Sequence, residues 1–360
     1  MSLVKERRKT RQISVGSVKV GSKSPVSVQS MTNTRTQDVQ ATIKQILALE
    51  KAGCEIVRVA VPDMEAALAI EKIKQDITIP IIADIHFDYR LAIASAKAGV
   101  NALRINPGNI GEKKKIKAVV DCAKEHKISI RVGVNAGSLE KNIEKRLGTT
   151  AQAMVESALK NIKILEDLDF HDIKVSLKAS DVERTVKAYR LLASQTDVPF
   201  HVGVTEAGGL YAGITKSAIG IGMLLTEGLG DTMRVSLTRD PVEEIRTGYE
   251  ILRALGIRSR GPELISCPTC GRCRIDLFKI ARETEKALLD HSSKIKVAIM
   301  GCVVNGPGEA KEADIGIAGG DGKGILFKKG KVIRKIDQDK LVEQLLMEIE
   351  NIEIEKSGEN

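Results

Sequence analysis

The sequence predicts an α/β protein, in which a (β/α)8 barrel of the TIM type precedes a small α+β domain. From about residue 25 to 255, eight short β-branched runs alternate with amphipathic stretches of helical period, and this is the number of strand–helix units in such a barrel. The alternation stops at LGIRSRGPE, so we place the barrel domain at residues 1–256 and the second domain at 263–360. A doubly wound sheet is the alternative, although it seldom needs eight regular units.

Eight barrel strands are expected where β-branched and apolar residues cluster. The runs are Ser27 to Met31, Glu55 to Val61, Pro80 to Ile85, Ala102 to Asn106, Ile128 to Val134, Asp172 to Leu177, Pro199 to Val204 and Thr232 to Leu237. Helical patterns between them open on Asp38 and Asp181, and one ends at Gly53, as helix capping requires. Before the barrel, residues 12–23 predict a hairpin that closes its bottom, and the charged start MSLVKERRKTRQ predicts a solvated arm.

The second domain shows a different order of elements. A helix is expected around Ile275 to Asp290, followed by strands in KVAIMG and DIGIAGG, a hairpin in GILFKKGKVIRKI and a final helix from about Gln338. This mixture without strand–helix alternation predicts an α+β domain.

Composition limits the classes of protein to which the chain can belong. Apolar residues make up 42% and charged residues 29%, so a sizeable core is available. The net charge of +9 suits nucleic acid or a small anionic substrate, but Trp is absent and aromatics total only 2%, which argues against stacking on bases. The start has no apolar segment and no 18-residue apolar run occurs, so we expect neither a signal peptide nor a membrane span. Unpaired cysteines then indicate a reducing cytoplasm.

Four cysteines near the C-terminus predict a metal site. Cys267, Cys270 and Cys273 follow one another in SCPTCGRC, and Cys302 lies 29 positions later in GCVVNGPGE. A zinc ribbon is expected to show two Cys-x-x-Cys knuckles, whereas the second half here has one cysteine among glycines. This asymmetry favours an iron–sulfur cluster, because glycines give its core room and backbone N–H groups. Zinc, or free or disulfide-bonded cysteines, remain alternatives.

Four predicted barrel strands carry an arginine between aliphatic residues. A buried, unpaired cation has an idealised cost of order 20 kcal/mol, so these guanidinium groups need an anion. Asp84 and Glu206 could pair with one or two of them, and the surplus favours a phosphate-bearing ligand, whose oxygens match the guanidinium fork. The arginines are Arg58, Arg104, Arg131 and Arg234.

Further polar residues fall at the carboxyl ends of the same predicted strands, where barrel enzymes place their chemistry. Together with the arginines they form a ring that is improbable as pure scaffolding. The ring comprises Gln29, Asn33, Asp84, His86, Asn106, Asn109, Asn135, Lys178, His201, Thr205, Glu206 and Ser236.

These motifs closely resemble the bacterial 4-hydroxy-3-methylbut-2-enyl diphosphate synthase family, which acts in the methylerythritol phosphate route to isoprenoids. The resemblance runs nearly end to end, and the two cysteine motifs are its most specific part. The matching segments are MTNTRT, ADIHFD, LRINPGNIG, RVGVNAGSLE, TEAGG, GDTMRVSLTRDP, SCPTCGR and GCVVNGPGEA. The resemblance implies a barrel similar to dihydropteroate synthase, a second domain similar to sulfite reductase modules, and a head-to-tail homodimer.

The resemblance also implies a 4Fe-4S cluster held by Cys267, Cys270, Cys302 and the carboxylate of Glu309. A carboxylate is a harder and weaker ligand than a thiolate, and it leaves one iron exchangeable for a substrate oxygen. Cys273 is then surplus, because the family motif does not require cysteine there.

The implied reaction is the two-electron reductive ring opening of 2-C-methyl-D-erythritol 2,4-cyclodiphosphate to the linear allylic diphosphate, with electrons from flavodoxin or ferredoxin. Glu206 is the preferred proton donor and Asp84 the weaker candidate. Substrate-binding residues are expected to be Arg58, Arg104, Arg131, Asn135, Lys178, His201, Arg234 and Ser236.

Two readings from other classes remain open. A zinc-ribbon nucleic-acid binder predicts colourless zinc protein and exposed arginines. A dihydropteroate-synthase-like or methyl-transfer barrel with an electron-relay cluster predicts four thiolate ligands and no role for Glu309.

Overall fold

The computed structural model of the chain describes residues 3–289, 291, 293–302, 308 and 310–358. The chain divides into two compact units, Met1–Arg258 and Ser259–Asn360.

Parallel strands of the first unit form a barrel in the order β8-β7-β6-β5-β4-β3-β10-β9. A parallel bridge from Val175 to Phe200, next to β9, joins the two ends of this sheet, and this confirms the predicted (β/α)8 barrel. The strands are β3 (Ser27–Met31), β4 (Ile56–Ala60), β5 (Ile81–Asp84), β6 (Ala102–Ile105), β7 (Ser129–Asn135), β8 (Ile173–Lys178), β9 (His201–Val202) and β10 (Thr232–Met233).

The last two barrel strands are shorter than the sequence predicts. The ladder nevertheless continues beyond them: Val175 N–H donates to Pro199 C=O at 2.9 Å, and Arg234 N–H donates to Val202 C=O at 3.0 Å. The polar groups of these shortened strands are therefore paired, as buried backbone requires.

Helices surround the barrel and begin where the sequence predicts caps. The side chains of Asp38 and Asp181 accept hydrogen bonds from the first turns of α1 and α8, and Gly53 ends α1 at φ 99°. The helices are α1 (Val39–Ala52), α2 (Met64–Ile73), α3 (Tyr89–Lys97), α4 (Pro107–Ile110), α5 (Lys113–Glu125), α6 (Lys141–Leu147), α7 (Ala151–Glu166), α8 (Val182–Ala193), α9 (Leu210–Thr226) and α10 (Pro241–Ala254).

The hairpin β1 (Ile13–Val15) and β2 (Val18–Val20) covers the amino ends of the barrel strands. Its buried Val15 packs with Ile56 and Ala102, which are the first residues of β4 and β6. The predicted hairpin and its place at the barrel bottom are both confirmed.

The charged N-terminal arm is not solvated as predicted, and that expectation was wrong. Backbone N–H groups of Lys5, Arg8 and Arg11 donate to the carbonyls of Thr226, Gly228 and Asp197 at 2.9 to 3.0 Å. The Arg8 guanidinium lies 3.9 Å from the ring centroid of Phe200 and donates to the Val198 carbonyl at 2.6 Å. We call residues 4–11 the N-terminal strap. Its charged residues contact residues far along the chain. The composition of the segment alone therefore gives no sign that it packs on the barrel.

The second unit is a mixed sheet in the order β11-β12-β13-β14-β15 with two long helices. Its core contains Val297, Ile317 and Leu326 from the sheet and Leu345 from the final helix. Among the described residues of this unit, strand β11 is an element that the sequence did not predict. The elements are β11 (Glu263–Ser266), α11 (Leu277–Leu288), β12 (Lys296–Met300), β13 (Ile315–Ala318), β14 (Lys323–Lys328), β15 (Lys331–Asp337) and α12 (Leu341–Gly358).

Candidate active site

A row of charged residues crosses four neighbouring strands of the barrel. Asp84 pairs with Arg104, Arg104 with Arg131 and Arg131 with Lys174 in the register of β5, β6, β7 and β8. Residues paired in a parallel sheet point to the same face, so these four side chains point together into the barrel.

Asp84 is the carboxylate at one end of this row. Arg104 Nη1 donates to its Oδ1 at 3.1 Å, while Arg58 Nε and His86 Nε2 lie 3.9 and 3.5 Å from its Oδ2. Burial alone would raise the pKa of Asp84, but Arg58, the hydrogen bond from His86, and Arg104 hold it well below its usual range. Asp84 is therefore an ionised partner for several cations.

Arg234 has its own buried partner, which sequence reasoning missed. Its Nε and Nη2 each lie 3.2 Å from a carboxylate oxygen of Glu244 on α10, and Ser30 Oγ donates to the same carboxylate at 2.8 Å. Glu244 is only 2% exposed. Its helical spacing from Pro241 and Gly248, which are also buried, was the available signal.

Arg131 and Lys174 lack such a partner. The Nε and Nη1 atoms of Arg131 and the Nζ of Lys174 are buried without a hydrogen-bond partner in the described part of the chain. Burial, and then the neighbouring Arg58 and Arg104, lowers the pKa of Arg131 well below its usual value. Burial and then Arg131 do the same to the pKa of Lys174. Sequence reasoning missed Lys174, although the alternation in IKVSLK puts it on the same face as Lys178.

Positive charge thus exceeds negative charge inside the barrel. Asp84 and Glu244 are the carboxylates paired with these cations among the described residues. The basic side chains on the barrel strands, or directly after β10 in the case of Arg234, are Arg58, Arg104, Arg131, Lys174, Lys178 and Arg234. Six basic side chains against two carboxylates create a strong local demand for an anion.

Lys178 and His201 contact each other at the ends of β8 and β9. Their Nζ and Nε2 atoms lie 3.3 Å apart, and His201 Nδ1 lies 2.7 Å from Thr232 Oγ1. Burial, and then the charges of Lys178 and Arg131, lowers the pKa of His201 well below its usual value. A neutral imidazole is the form that suits this cationic site.

Glu206 lies at the mouth of the barrel rather than inside it. It is exposed, has a left-handed φ of 50°, and lines a cleft of about 320 Å³ together with Asn135, Lys178 and Thr205. A non-glycine residue in this region is uncommon and often marks a functional site. Ser236 is half-buried after β10.

Gly133 on β7 leaves the space that Arg104 occupies. A Cβ atom at residue 133 would lie 2.4 Å from Arg104 Nε, and Arg104 Nη2 is 3.5 Å from the Gly133 carbonyl. Any side chain here would displace the guanidinium from Asp84.

The second unit presents its cysteines at one edge of its sheet. Cys267 directly follows β11 and Cys302 follows β12, and these parallel strands pair in register through Ser266 and Ile299. The Gly301 N–H donates to Cys267 Sγ at 3.2 Å. A Cβ at Gly301 would lie 2.7 Å from Cys273 Sγ and 3.5 Å from Cys267 Sγ, so both sulfurs flank this glycine.

These thiols fit an iron–sulfur group in their chemistry. They are soft donors in loops, Cys270 is exposed, and Cys267, Cys273 and Cys302 are half-buried. A backbone N–H directed at a cysteine sulfur is typical of such sites. In the described residues no group of three or more Cys, His, Asp or Glu side chains already converges as a metal site, and Glu309 lies outside the described residues.

Elsewhere the structure bears on one of the open readings. The zinc-ribbon reading required exposed arginines, whereas Arg104 is 6% and Arg131 2% exposed. Within the described ranges no helix combines the length and apolarity needed to cross a membrane.

The fold and site define a barrel protein with buried basic side chains in its interior, joined to a small thiol-bearing α+β domain. Residues 10–249 match the GcpE TIM-barrel domain and residues 263–351 match the GcpE protein C-terminal domain, so the chain belongs to the GcpE family.

Curated relatives carry one activity in their names. The 4-hydroxy-3-methylbut-2-en-1-yl diphosphate synthase (flavodoxin) of Lawsonia intracellularis is 58% identical over 348 residues, covering 96% of this chain and 97% of the relative. The enzyme of the same name from Caldanaerobacter subterraneus subsp. tengcongensis is 58% identical over 351 residues, covering 97% of this chain and 99% of the relative. The resemblance drawn from the sequence motifs is confirmed.

A solved structure shares the barrel fold alone. Dihydropteroate synthase from Stenotrophomonas maltophilia with active site-bound imidazole covers 69% of this chain and 98% of its own, with a TM-score of 0.50 and 13% identity.

Proposed function

We propose that this chain catalyses the reductive ring opening of 2-C-methyl-D-erythritol 2,4-cyclodiphosphate to 4-hydroxy-3-methylbut-2-enyl diphosphate. The relatives' shared name supports the product, and the excess of buried cations in the barrel supports a substrate with two phosphates. The reaction adds two electrons to the substrate. It breaks a C–O bond in the ring, so that this oxygen stays on the phosphate, and a hydroxyl group of the substrate leaves as water after it is protonated.

The barrel cations bind the diphosphate in this proposal. Arg58, Arg131 and Lys178 have few or no carboxylate contacts, so their donor groups are available to the phosphates. Arg104 is oriented by Asp84 and Gly133, and Arg234 is largely neutralised by Glu244 and serves to orient rather than attract. Lesser contacts come from Asn135, His201 and Ser236.

Glu206 supplies the proton to the oxygen that leaves. It lines the cleft beside Lys178 and is not paired with any cation in the described ion pairs, so its carboxyl group is available to the substrate. Asp84 is a poorer donor because the cations around it keep it ionised.

The electrons require a redox group at the thiol edge of the second unit. We assign its ligands to Cys267, Cys270, Cys302 and the carboxylate of Glu309. When bound, a 4Fe-4S cluster supplies electrons one at a time to the substrate. The chain contributes soft sulfur ligands and the Gly301 N–H beside Cys267, which favours a charged sulfur.

Partners form part of the proposal. Flavodoxin, which the relatives' names specify, or ferredoxin reduces the enzyme. The enzyme works in a reducing cytoplasm. Two chains form a head-to-tail dimer. Support for the dimer comes from the end of the first unit. Arg258 donates to the Val26 carbonyl at 2.7 Å and pairs with Glu55, so the chain leaves the barrel at the end opposite the catalytic rim.

The test is anaerobic turnover. The protein should be brown, contain about four iron and four sulfide per chain, and convert the cyclic diphosphate to the linear product when supplied with reduced flavodoxin. One zinc per chain with no visible absorbance, or a loaded brown protein that leaves the cyclic diphosphate intact, would contradict the proposal.

A further inference from the structure

Lys174 is a buried amine that the proposed reaction does not use. It lies on β8, where alternation puts it on the same face as Ser176 and Lys178, and it pairs in register with Arg131. Its side chain is 0% exposed and its Nζ has no hydrogen-bond partner in the described part of the chain. Such a position in a barrel is usually filled by a branched apolar residue.

Other unsatisfied polar atoms face the same interior. Gln29 is 0% exposed, and neither its Oε1 nor its Nε2 has a described partner. It lies two residues before Met31, whose sulfur accepts from Arg58, so it points inward as well. Ser129, two residues before Arg131, has a buried Oγ without a described partner. Gln29, Ser129 and Lys174 therefore form a polar floor to the barrel interior, and several of their hydrogen-bonding atoms have no described partner.

The charged groups that face Lys174 are all cationic. Arg131 on β7 and Arg58 on β4 repel its ammonium form, and Lys174 in turn acts on His201 of β9. An unpaired ammonium in this interior is costly, and a buried lysine avoids the cost by losing its proton. Burial and the neighbouring cations therefore favour the neutral amine in the free barrel.

We propose that Lys174 is a positioning residue of the diphosphate site, whose neutral amine takes up a proton when the diphosphate binds to the neighbouring Arg131. This inference rests on the proposed function. An incoming dianion reduces the local excess of positive charge, and the low dielectric of the interior makes its effect on a nearby proton large. The new ammonium then adds a positive charge beside the bound diphosphate and attracts it towards this part of the barrel.

The sign of the pH dependence follows. A group that is neutral in the free protein and protonated in the complex makes binding tighter as pH falls and weaker as pH rises. The affinity of the wild-type protein for the cyclic diphosphate should therefore decrease with rising pH more steeply than that of a protein without the amine.

Calorimetry of the anaerobic, oxidised holoenzyme tests this, because no turnover occurs without a reductant. Binding of 2-C-methyl-D-erythritol 2,4-cyclodiphosphate is measured in several buffers of different ionisation enthalpy at one pH. Each phosphate of this ligand has a single strongly acidic proton, so protons taken up near neutrality go to the protein. We expect the wild type to take up about one proton more than Lys174→Met.

Two further variants separate folding from function. Lys187→Met changes an exposed lysine on α8 and should leave proton uptake unchanged. Lys174→Arg has a side chain that stays protonated, so this variant should bind the cyclic diphosphate without taking up the extra proton. If Lys174→Met does not fold, Lys174→Arg is compared with the wild type instead. Equal proton uptake in wild type and the Lys174 variants overturns the inference alone. Failure of the wild type to bind the cyclic diphosphate overturns both the inference and the proposed function.

Discussion

Arg104 and Asp84 are neighbours in the register of β5 and β6, and their side chains are joined by a 3.1 Å hydrogen bond inside the barrel. Arg58 approaches the same carboxylate from β4. One aspartate therefore balances charge for two strands at once, and its removal should affect the whole cation cluster.

Asp84→Asn should lower the free energy of unfolding at pH 7 by about 3 to 5 kcal/mol, because it leaves buried cations uncompensated. The folded pKa of Asp84 lies below its ordinary value of 3.8, so the stabilisation is complete above that value and is lost as pH falls through the folded pKa. Urea unfolding should show a constant difference from wild type above about pH 5 and a shrinking one in stronger acid. Asp121→Asn, which removes an exposed pair with Lys117, should change stability by less than about 1 kcal/mol and serves as control. If Asp84→Asn lowers the free energy of unfolding no more than Asp121→Asn does, Asp84 does not balance the charge of the buried arginines.

Arg131→Met should weaken binding of the cyclic diphosphate by about 1.5 to 3 kcal/mol, the value of a hydrogen bond to a charged group. The same change should leave thermal stability equal or higher, since it removes a buried cation without a hydrogen-bonded carboxylate. Arg190→Met, at an exposed pair with Glu227, is the matched control for affinity. Calorimetry that finds unchanged affinity for Arg131→Met would return this arginine to a structural role.

Cys273→Ser should keep the cluster and most activity, whereas serine at Cys267, Cys270 or Cys302 should abolish both. Cys273 lies beside Cys267 across Gly301, so proximity alone does not exclude it as a ligand. Iron and sulfide content and the visible spectrum decide between the models. Loss of the cluster in Cys273→Ser, with Glu309→Ala unaffected, would support four thiolate ligands.

Mixing two inactive variants should restore activity if each active site uses two subunits. Glu206→Gln disables the barrel and Cys302→Ser disables the cluster, so one site of each mixed dimer combines an intact barrel with an intact cluster. The position of Arg258 at the barrel bottom motivates this experiment. Arg258 is held at the barrel bottom and β11 begins at Glu263, so the residues between them span at most about 18 Å when extended, a short reach towards the opposite end of the barrel. Heterodimers proven by mass but without turnover would refute the shared site.

The barrel was predictable because its signals are local and repeat. Each β-branched run can be assigned as a strand from its own residues, and each capped helix can be assigned in the same way, such as α1 between Asp38 and Gly53. The short β11 was missed because four residues that are half-buried or exposed give little periodicity. The ends of β9 and β10 were misjudged because irregular backbone there pairs without regular strand geometry.

The site was only partly predictable, since charge pairing depends on distant residues. The arginines were found because a cation between aliphatic residues in a strand is anomalous. Their pairing with Asp84 was anticipated, but Glu244 was not, because it comes from a helix that only the fold brings against Arg234. Lys174 gives no comparable signal, because it lies near the start of β8 and not at the carboxyl ends of the strands, where barrel enzymes place their chemistry.

The N-terminal strap has a consequence for the order of folding. Its Arg8 meets Val198 across 190 positions of sequence, and it also bonds to residues near 228. During synthesis these first residues have no partner until almost the entire barrel has left the ribosome. Closing so long a loop is slow. The contacts between the N-terminal strap and the residues beside β9 are therefore expected to form late, after the earlier strand–helix units have assembled. A bulky domain fused ahead of residue 4 should therefore slow maturation of the barrel more than one placed after residue 358.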